Sequence, residues 1–334
     1  MTTGREQMMG RRERYCSARH GALFAPRIRR DLDRRDPVTA AFAIAGWACY
    51  IIAALLLAWV VGALVHNDML AREAAANIAS APATWPDESR QGAYKRAQRY
   101  NAVLGTRFNG RIPADAENEE GVAVETLDMD YRHTLNVDGR GGMARLLIPK
   151  ISVDIPVYHT TLDDVLDEGA GHIYGTAMPI GDDHTYSVLA AHSGGVQGML
   201  FTRLGELRKG GVFYMDVLGG EQGYRVSDIR TIRPEQMEST LRELRSRYRD
   251  GPATITLVTC TPLGVNSHRL LVTGVREPIP AKIAPASTQK DGRLIAAAVA
   301  VVVFLVLLVA AIVFSRLRAK RRKVTAQKSA TSST

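Results

Sequence analysis

The sequence predicts a mainly β domain, a closed or nearly closed barrel of short strands, held between two membrane-spanning helices. Three observations carry this expectation. Two long apolar runs lie near the ends of the chain, strand-like segments fill its middle, and one cysteine sits at the end of the most regular segment.

The apolar runs come first because they divide the chain. Residues 38–65 contain no charged side chain and carry Trp47, Tyr50 and Trp59, and residues 294–314 are likewise uncharged. A hydrocarbon core of roughly 30 Å takes about 20 apolar residues as helix, and both runs reach that length. The first is too long for the apolar part of a cleaved signal peptide and follows a long basic leader, so it reads as a retained signal-anchor. Residues 1–37 carry ten Arg against five acids, and residues 316–334 carry seven basic residues and no acid. These tails contribute +5 and +7 to the net charge of +9, which leaves residues 38–315 at −3. A nucleic-acid-binding core needs its basic residues on the folded surface, so the mildly acidic middle argues against that class. Basic flanks on both spans place both termini in the cytoplasm and residues 67–293 outside the cell.

The middle then divides by texture. Residues 66–89 are Ala-rich and read as a helix leaving the membrane; 91–104 continue it or form a second helix after Trp85-Pro86. Residues 105–130 are polar, with Pro113 and an acidic cluster of Asp115, Glu117, Glu119 and Glu120, and read as a surface loop or flap. From about Gly142, strands are expected over 144–148, 153–157, 186–191, 212–217, 224–232, 253–259 and 269–275. Gly219-Gly220 reads as the turn of a hairpin, and helices are expected over 161–167 and 235–248. Seven or eight short strands with few helices point to a barrel. The boundaries follow: a basic tail at 1–37, a span at 38–65, helices and a lid-like loop at 66–141, the barrel at 142–277, a Pro-containing linker at 278–293, a second span at 294–314 and a basic tail at 315–334.

Within that layout Cys260 stands out. Cys16 falls in the first tail and Cys49 in the first span, so Cys260 is the cysteine left on the outer side, with no partner for an intramolecular disulfide. A lone strand-end cysteine is usually a small core residue; an unpaired thiol in an oxidising compartment shifts the reading towards a nucleophile. The β-branched run Thr254-Ile255-Thr256-Leu257-Val258-Thr259-Cys260-Thr261 ends at Pro262, which supplies no ladder donor. The segment 269–275 returns beside it and brings Arg269 to the mouth where Cys260 lies. His268 alternates to the opposite face, and only one of the two can easily serve the thiol; the pattern leaves open which.

A thiol attacks as thiolate and needs a base, and acyl transfer needs a donor for the oxyanion. Arg suits the second task because it keeps its charge and presents several N–H groups. Among the histidines, His192 closes an apolar strand and precedes Ser193-Gly194-Gly195, a rim position like that of Cys260, with His268 and His172 behind it. One cysteine with scattered histidines makes a poor zinc site, and no cofactor is expected.

The run Thr256-Leu257-Val258-Thr259-Cys260 matches the Thr-Leu-x-Thr-Cys signature of sortases. Residues 261–272 resemble the class C, pilus-assembling branch found in Gram-positive bacteria. So do Gly171-His172-Ile173-Tyr174-Gly175-Thr176, the 187–194 stretch, Leu200-Phe201-Thr202 and Gly211-Val212-Phe213-Tyr214. The resemblance spans roughly residues 130–277 and implies an eight-stranded sortase-type β-barrel. It implies that Cys260 attacks the Thr–Gly bond of a Leu-Pro-x-Thr-Gly-like sorting signal, that His192 is the acid/base, and that Arg269 stabilises the oxyanion. Thr259, Ser193 and Asn266 are then candidate substrate contacts, and His172 and His268 are structural. The implied partners are pilin subunits with such signals, an acceptor lysine and the lipid bilayer. A wall-anchoring enzyme using a peptidoglycan amine, or a non-catalytic membrane-anchored surface protein, is the alternative. Class C enzymes often carry a lid with an Asp-Pro-aromatic anchor. The one Asp-Pro here is Asp36-Pro37, on the wrong side of the first span, so the resemblance does not carry that anchor over.

Overall fold

A computed structural model describes residues 37–109, 111–113, 122–194, 200–278 and 292–331. The acidic part of the lid-like segment, most of the linker and the first basic tail lie outside the described residues, as does Cys16. The chain divides into two units, Met1–Leu56 and Leu57–Thr334. Of the first unit, the described residues are helical and belong to helix α1, Pro37–Ser80.

In the second unit, α1 continues to Ser80 and a short 3-10 turn, Ala81–Thr84, follows. Helix α2 spans Asp87–Arg107. The two helices are separate rather than one, because Pro86 lacks the N–H that continuation needs and instead precedes the first turn of α2. Arg72 of α1 bonds the Ser152 carbonyl at 2.9 Å, and Ala97, Tyr100 and Leu104 of α2 are buried in the main core. Short helices α3 (Val124–Leu127) and α4 (Met129–His133) lead to the barrel.

The barrel has eight strands: β1 Gly142–Ile148, β2 Val153–His159, β3 Ala170–His172, β4 Tyr186–Ala190, β5 Val212–Val217, β6 Gly220–Ile232, β7 Thr254–Thr261 and β8 His268–Arg276. They close in the order β1-β2-β3-β4-β7-β8-β6-β5. Closure leaves no unpaired sheet edge. Seven strands match the sequence expectation and β3 was not expected. Its Gly171 breaks the apolar pattern for a steric reason: a Cβ there would collide with the Thr160 carbonyl oxygen. The β5–β6 turn is Leu218-Gly219, both at positive φ, with Gly220 already paired to Val217. That is the two-residue turn whose twist suits a hairpin, set one residue earlier than expected.

Alternation along the strands sorts side chains into two clusters. Ile255 and Leu257 of β7 and Leu270 and Val272 of β8 face the barrel interior. Val188, Val258 and Leu271 face outward. There helix α6, Met237–Arg247, covers them with Leu241 and Leu244, spaced three residues apart on its apolar stripe. Helix α5, Asp163–Glu168, joins β2 to β3. Helix α7 spans Gly292–Thr331. Two helical stretches, Ile44–Thr84 and Ala297–Leu317, contain windows long and apolar enough to cross a membrane, with mean hydropathy 2.5 and 3.3.

Candidate active site

Three adjacent strand ends build the site. Strands β7 and β8 pair antiparallel with Cys260 opposite Arg269 and Thr261 opposite His268. Paired residues share a face, and Cys260 and Arg269 are in phase with Val258 and Leu271, the outward set. His268 is in phase with Leu270 on the inner side, where its Nδ1 lies 2.8 Å from Ser267 Oγ. Of the two candidates that the sequence left open, Arg269 is therefore the one that shares the thiol's face.

Strand β4 lies on the other side of β7 and runs parallel to it, with Ala190 paired to Val258. The ladder extends one residue further: the Ala191 N–H donates to the Val258 carbonyl at 3.1 Å, and the Thr259 hydroxyl donates to the Ala191 carbonyl at 2.8 Å. One more step along both strands sets His192 beside Cys260, in phase with the outward Val188. His192, Cys260 and Arg269 thus occupy one row across β4, β7 and β8, on neighbouring strands roughly 4.8 Å apart.

The backbone around this row is held from several sides. The Phe201 N–H donates to the His192 carbonyl at 3.0 Å, and the Gly194 N–H donates to Thr202 Oγ1 at 2.8 Å. Gly194 has φ +81, and a Cβ on it would run into Leu263 of the β7–β8 loop. Glycine is thus required there twice over, by conformation and by the close approach of that loop. The loop turns on Pro262, whose carbonyl accepts from the Val265 and Asn266 N–H groups.

Cys260 is half-buried, and the His192 side chain is 37% exposed, so both are reachable from solvent. The Arg269 guanidinium folds back on its own loop, with Nη1 3.2 Å from the Asn266 carbonyl and 3.3 Å from that of His268. Of the candidate substrate contacts, Thr259 is buried with its hydroxyl committed to Ala191. Asn266 is exposed in the left-handed region at φ +56, which Asn tolerates. Ser193 Oγ is enclosed and has no hydrogen-bond partner among the described residues.

One neighbour was not singled out in the sequence. Asp167 of α5 brings Oδ1 to 3.8 Å from His192 Nε2. Its only sequence signal is an acidic run, which looks like a solvated helix face. His172 stands apart from the row. It is fully buried, its Nε2 donates to the Ala177 carbonyl at 2.9 Å, and burial lowers its pKa to about 4. Among the described residues no group of three or more His, Cys, Asp or Glu is arranged to hold a metal ion.

Comparison with known proteins agrees with this architecture. The family model for the sortase domain matches residues 146–277. Sortase C1 from Streptococcus agalactiae is 32% identical, with a TM-score of 0.51 over 62% of this chain and 100% of that one. Sortase C from Streptococcus pneumoniae is 31% identical, with a TM-score of 0.51 over 63% of this chain and 100% of that one. A more distant relative, Sortase A of Bacillus anthracis, is 26% identical over 191 residues, covering 52% of this chain and 86% of that one. With identity above three in ten along the whole of such relatives, the chain belongs to the sortase family of transpeptidases, in its class C branch.

Proposed function

We propose that the protein cleaves a Leu-Pro-x-Thr-Gly-like sorting signal between Thr and Gly and transfers the acyl group to a pilin lysine, so polymerising pili. The observation that supports this reading best is the row His192–Cys260–Arg269 on one outward face. The Cys260 thiolate adds to the Thr carbonyl carbon, and the tetrahedral oxyanion is met by Arg269. For that, the guanidinium exchanges its two carbonyl contacts for a charged acceptor, a stronger partner than a neutral one. The C–N bond to Gly then breaks, His192 gives the leaving amine its proton, and a Cys260 thioester remains. The lysine amine loses a proton to His192 and attacks the thioester; an isopeptide bond forms and the thiolate is released. Ser193, next to His192, and the exposed Asn266 flank this row and are proposed to contact the sorting peptide, Ser193 once its enclosed hydroxyl is uncovered.

The choice of pilin as acceptor follows the class C relatives, one of which is described as informing pilin substrate specificity. The two apolar helices are proposed to span the membrane, with basic flanks inside and the barrel outside. The full chain in maltoside micelles tests the reading with a Leu-Pro-x-Thr-Gly peptide and, separately, a lysine-bearing pilin domain or a peptidoglycan amine as acceptor. Cleavage and transfer to the pilin lysine are expected, with both abolished in Cys260→Ala. Equal cleavage by the variant removes Cys260 as nucleophile, and transfer to the peptidoglycan amine alone makes the protein an anchoring enzyme.

A further inference from the structure

At the far end of the same outward face lies a cavity of about 470 Å³. It sits against the start of β4, about 20 Å from the His192 row at the six-residue length of extended chain from Tyr186. Its walls come from α2, from the segment entering β4 and from the last turns of α6, and among the described residues they contain no carboxylate. They do contain Arg242, Arg245 and Arg249. Spacings of three and four residues stack these on one face of the helix and its C-terminal extension.

The other arginine of that turn behaves differently. Arg247 faces away and reaches Glu243 at 3.5 Å and Asp228 at 3.8 Å. Among the described residues Arg242 pairs only with Glu238, at 3.9 Å, and Arg245 and Arg249 make no ion pair. Arg245 Nη1 is fully enclosed and has no hydrogen-bond partner among the described residues. An enclosed, unpaired guanidinium N–H is costly, and the neighbouring Arg249 charge adds to that cost. Both effects, burial first, lower the Arg245 pKa from its ordinary value. A solvated basic helix face explains the exposed Arg249; it does not explain Arg245. Arg249 is also held in place, since His184 Nδ1 donates to its carbonyl at 3.2 Å.

We infer that this cavity binds a phosphate group, as a phosphomonoester or phosphodiester, held by Arg242, Arg245 and Arg249. A carboxylate satisfies one guanidinium fork. Several non-bridging and ester oxygens around one phosphorus match convergent forks from more than one arginine. The ligand's source is either a free phosphate ester or a lipid headgroup, and the recognition chemistry is shared.

The test uses the full chain in maltoside micelles, which carry no phosphate. Glycerol 3-phosphate and dihexanoyl phosphatidylglycerol are titrated separately at constant ionic strength, and binding is read from phosphorus NMR line broadening and the melting temperature. Broadening and a rise in melting temperature beyond the chloride control are expected with at least one probe. Preference for the lipid identifies a headgroup site, and equal or tighter binding of the ester identifies a free-ester site. The double variant Arg245→Gln/Arg249→Gln is expected to weaken the better probe by about tenfold or more, the loss of charge-assisted bonds. Arg247→Gln, whose partners lie outside the cavity, is expected to leave binding within about twofold. Retained cleavage of the sorting peptide by the double variant shows that it is folded. No binding above chloride by either probe, or unchanged binding in the folded double variant, overturns the inference.

Discussion

Acidifying the protein from about pH 7.5 to about pH 5.5 is expected to destabilise the barrel through His172. The imidazole is fully enclosed between β2 and β4, in register with His159 and Leu189. Desolvation lowers its pKa from 6.5 to about 4, the Ala177 hydrogen bond opposing in part and the charge of His159 adding to the shift. In the unfolded chain the same group has its ordinary value. Between the two values the unfolded state holds a proton that the folded state does not, so stability rises with pH across this window and falls on acidification. At pH 5.5 the difference amounts to about 1.4 kcal/mol, growing towards about 3 kcal/mol near and below pH 4. His159, also lowered by burial, adds in the same direction. Asp216 and Glu221, raised by burial, act in the opposite sense from their ordinary carboxylate range upward and offset part of the fall; the His172 variant below separates the two contributions. The assay is thermal unfolding of the full chain in maltoside, followed by near-ultraviolet dichroism. A fall of about 3–6 °C is expected for a domain of this size. His172→Gln keeps a donor for the Ala177 carbonyl and is expected to lose about 1.4 kcal/mol of the pH dependence, whatever its absolute stability. A melting temperature that is unchanged or higher at the lower pH, or a variant with the wild-type pH dependence, refutes the reasoning.

Two substitutions probe the proposed site. Thr259→Val removes the donor to the Ala191 carbonyl and leaves a buried acceptor unpaired, at a cost of about 1–3 kcal/mol. Because Ala191 precedes His192, peptide-cleavage kinetics are expected to show a fall in kcat larger than any rise in KM. A rise in KM with kcat unchanged identifies Thr259 as a substrate contact instead. Arg269→Lys keeps the charge and loses the fork, and kcat/KM for the sorting peptide is expected to fall about a hundredfold. Near-wild-type turnover removes Arg269 from the oxyanion role.

Much of this architecture was legible because it rests on interactions between near neighbours. The β-branched alternation of 254–260, ended by Pro262, and the return at 269–275 defined β7, β8 and the approach of Arg269 to Cys260. The helix expected over 235–248 is likewise present, as α6. Strand β3 was not legible. It is three residues long, and its glycine is explained only by the Thr160 carbonyl that comes against it in the fold. The acidic run of α5 gave no hint that Asp167 comes to lie beside His192.

The sequence by itself determined the apolar runs, the strand periodicities, the lone thiol of the barrel and the Cys260–Arg269 hairpin. Each is encoded in residues a few positions apart, where backbone geometry alone dictates which side chains share a face. Only the tertiary structure decided that β4 runs parallel to β7, which puts His192 in the row with Cys260. Parallel pairing needs a crossover, and here its two strands are separated by β5, β6 and α6, so no local pattern records it. The same holds for the cavity arginines. Their helical spacing is written in the chain, but the wall they face, free of carboxylates among the described residues, arises only when α2 and the start of β4 pack against them.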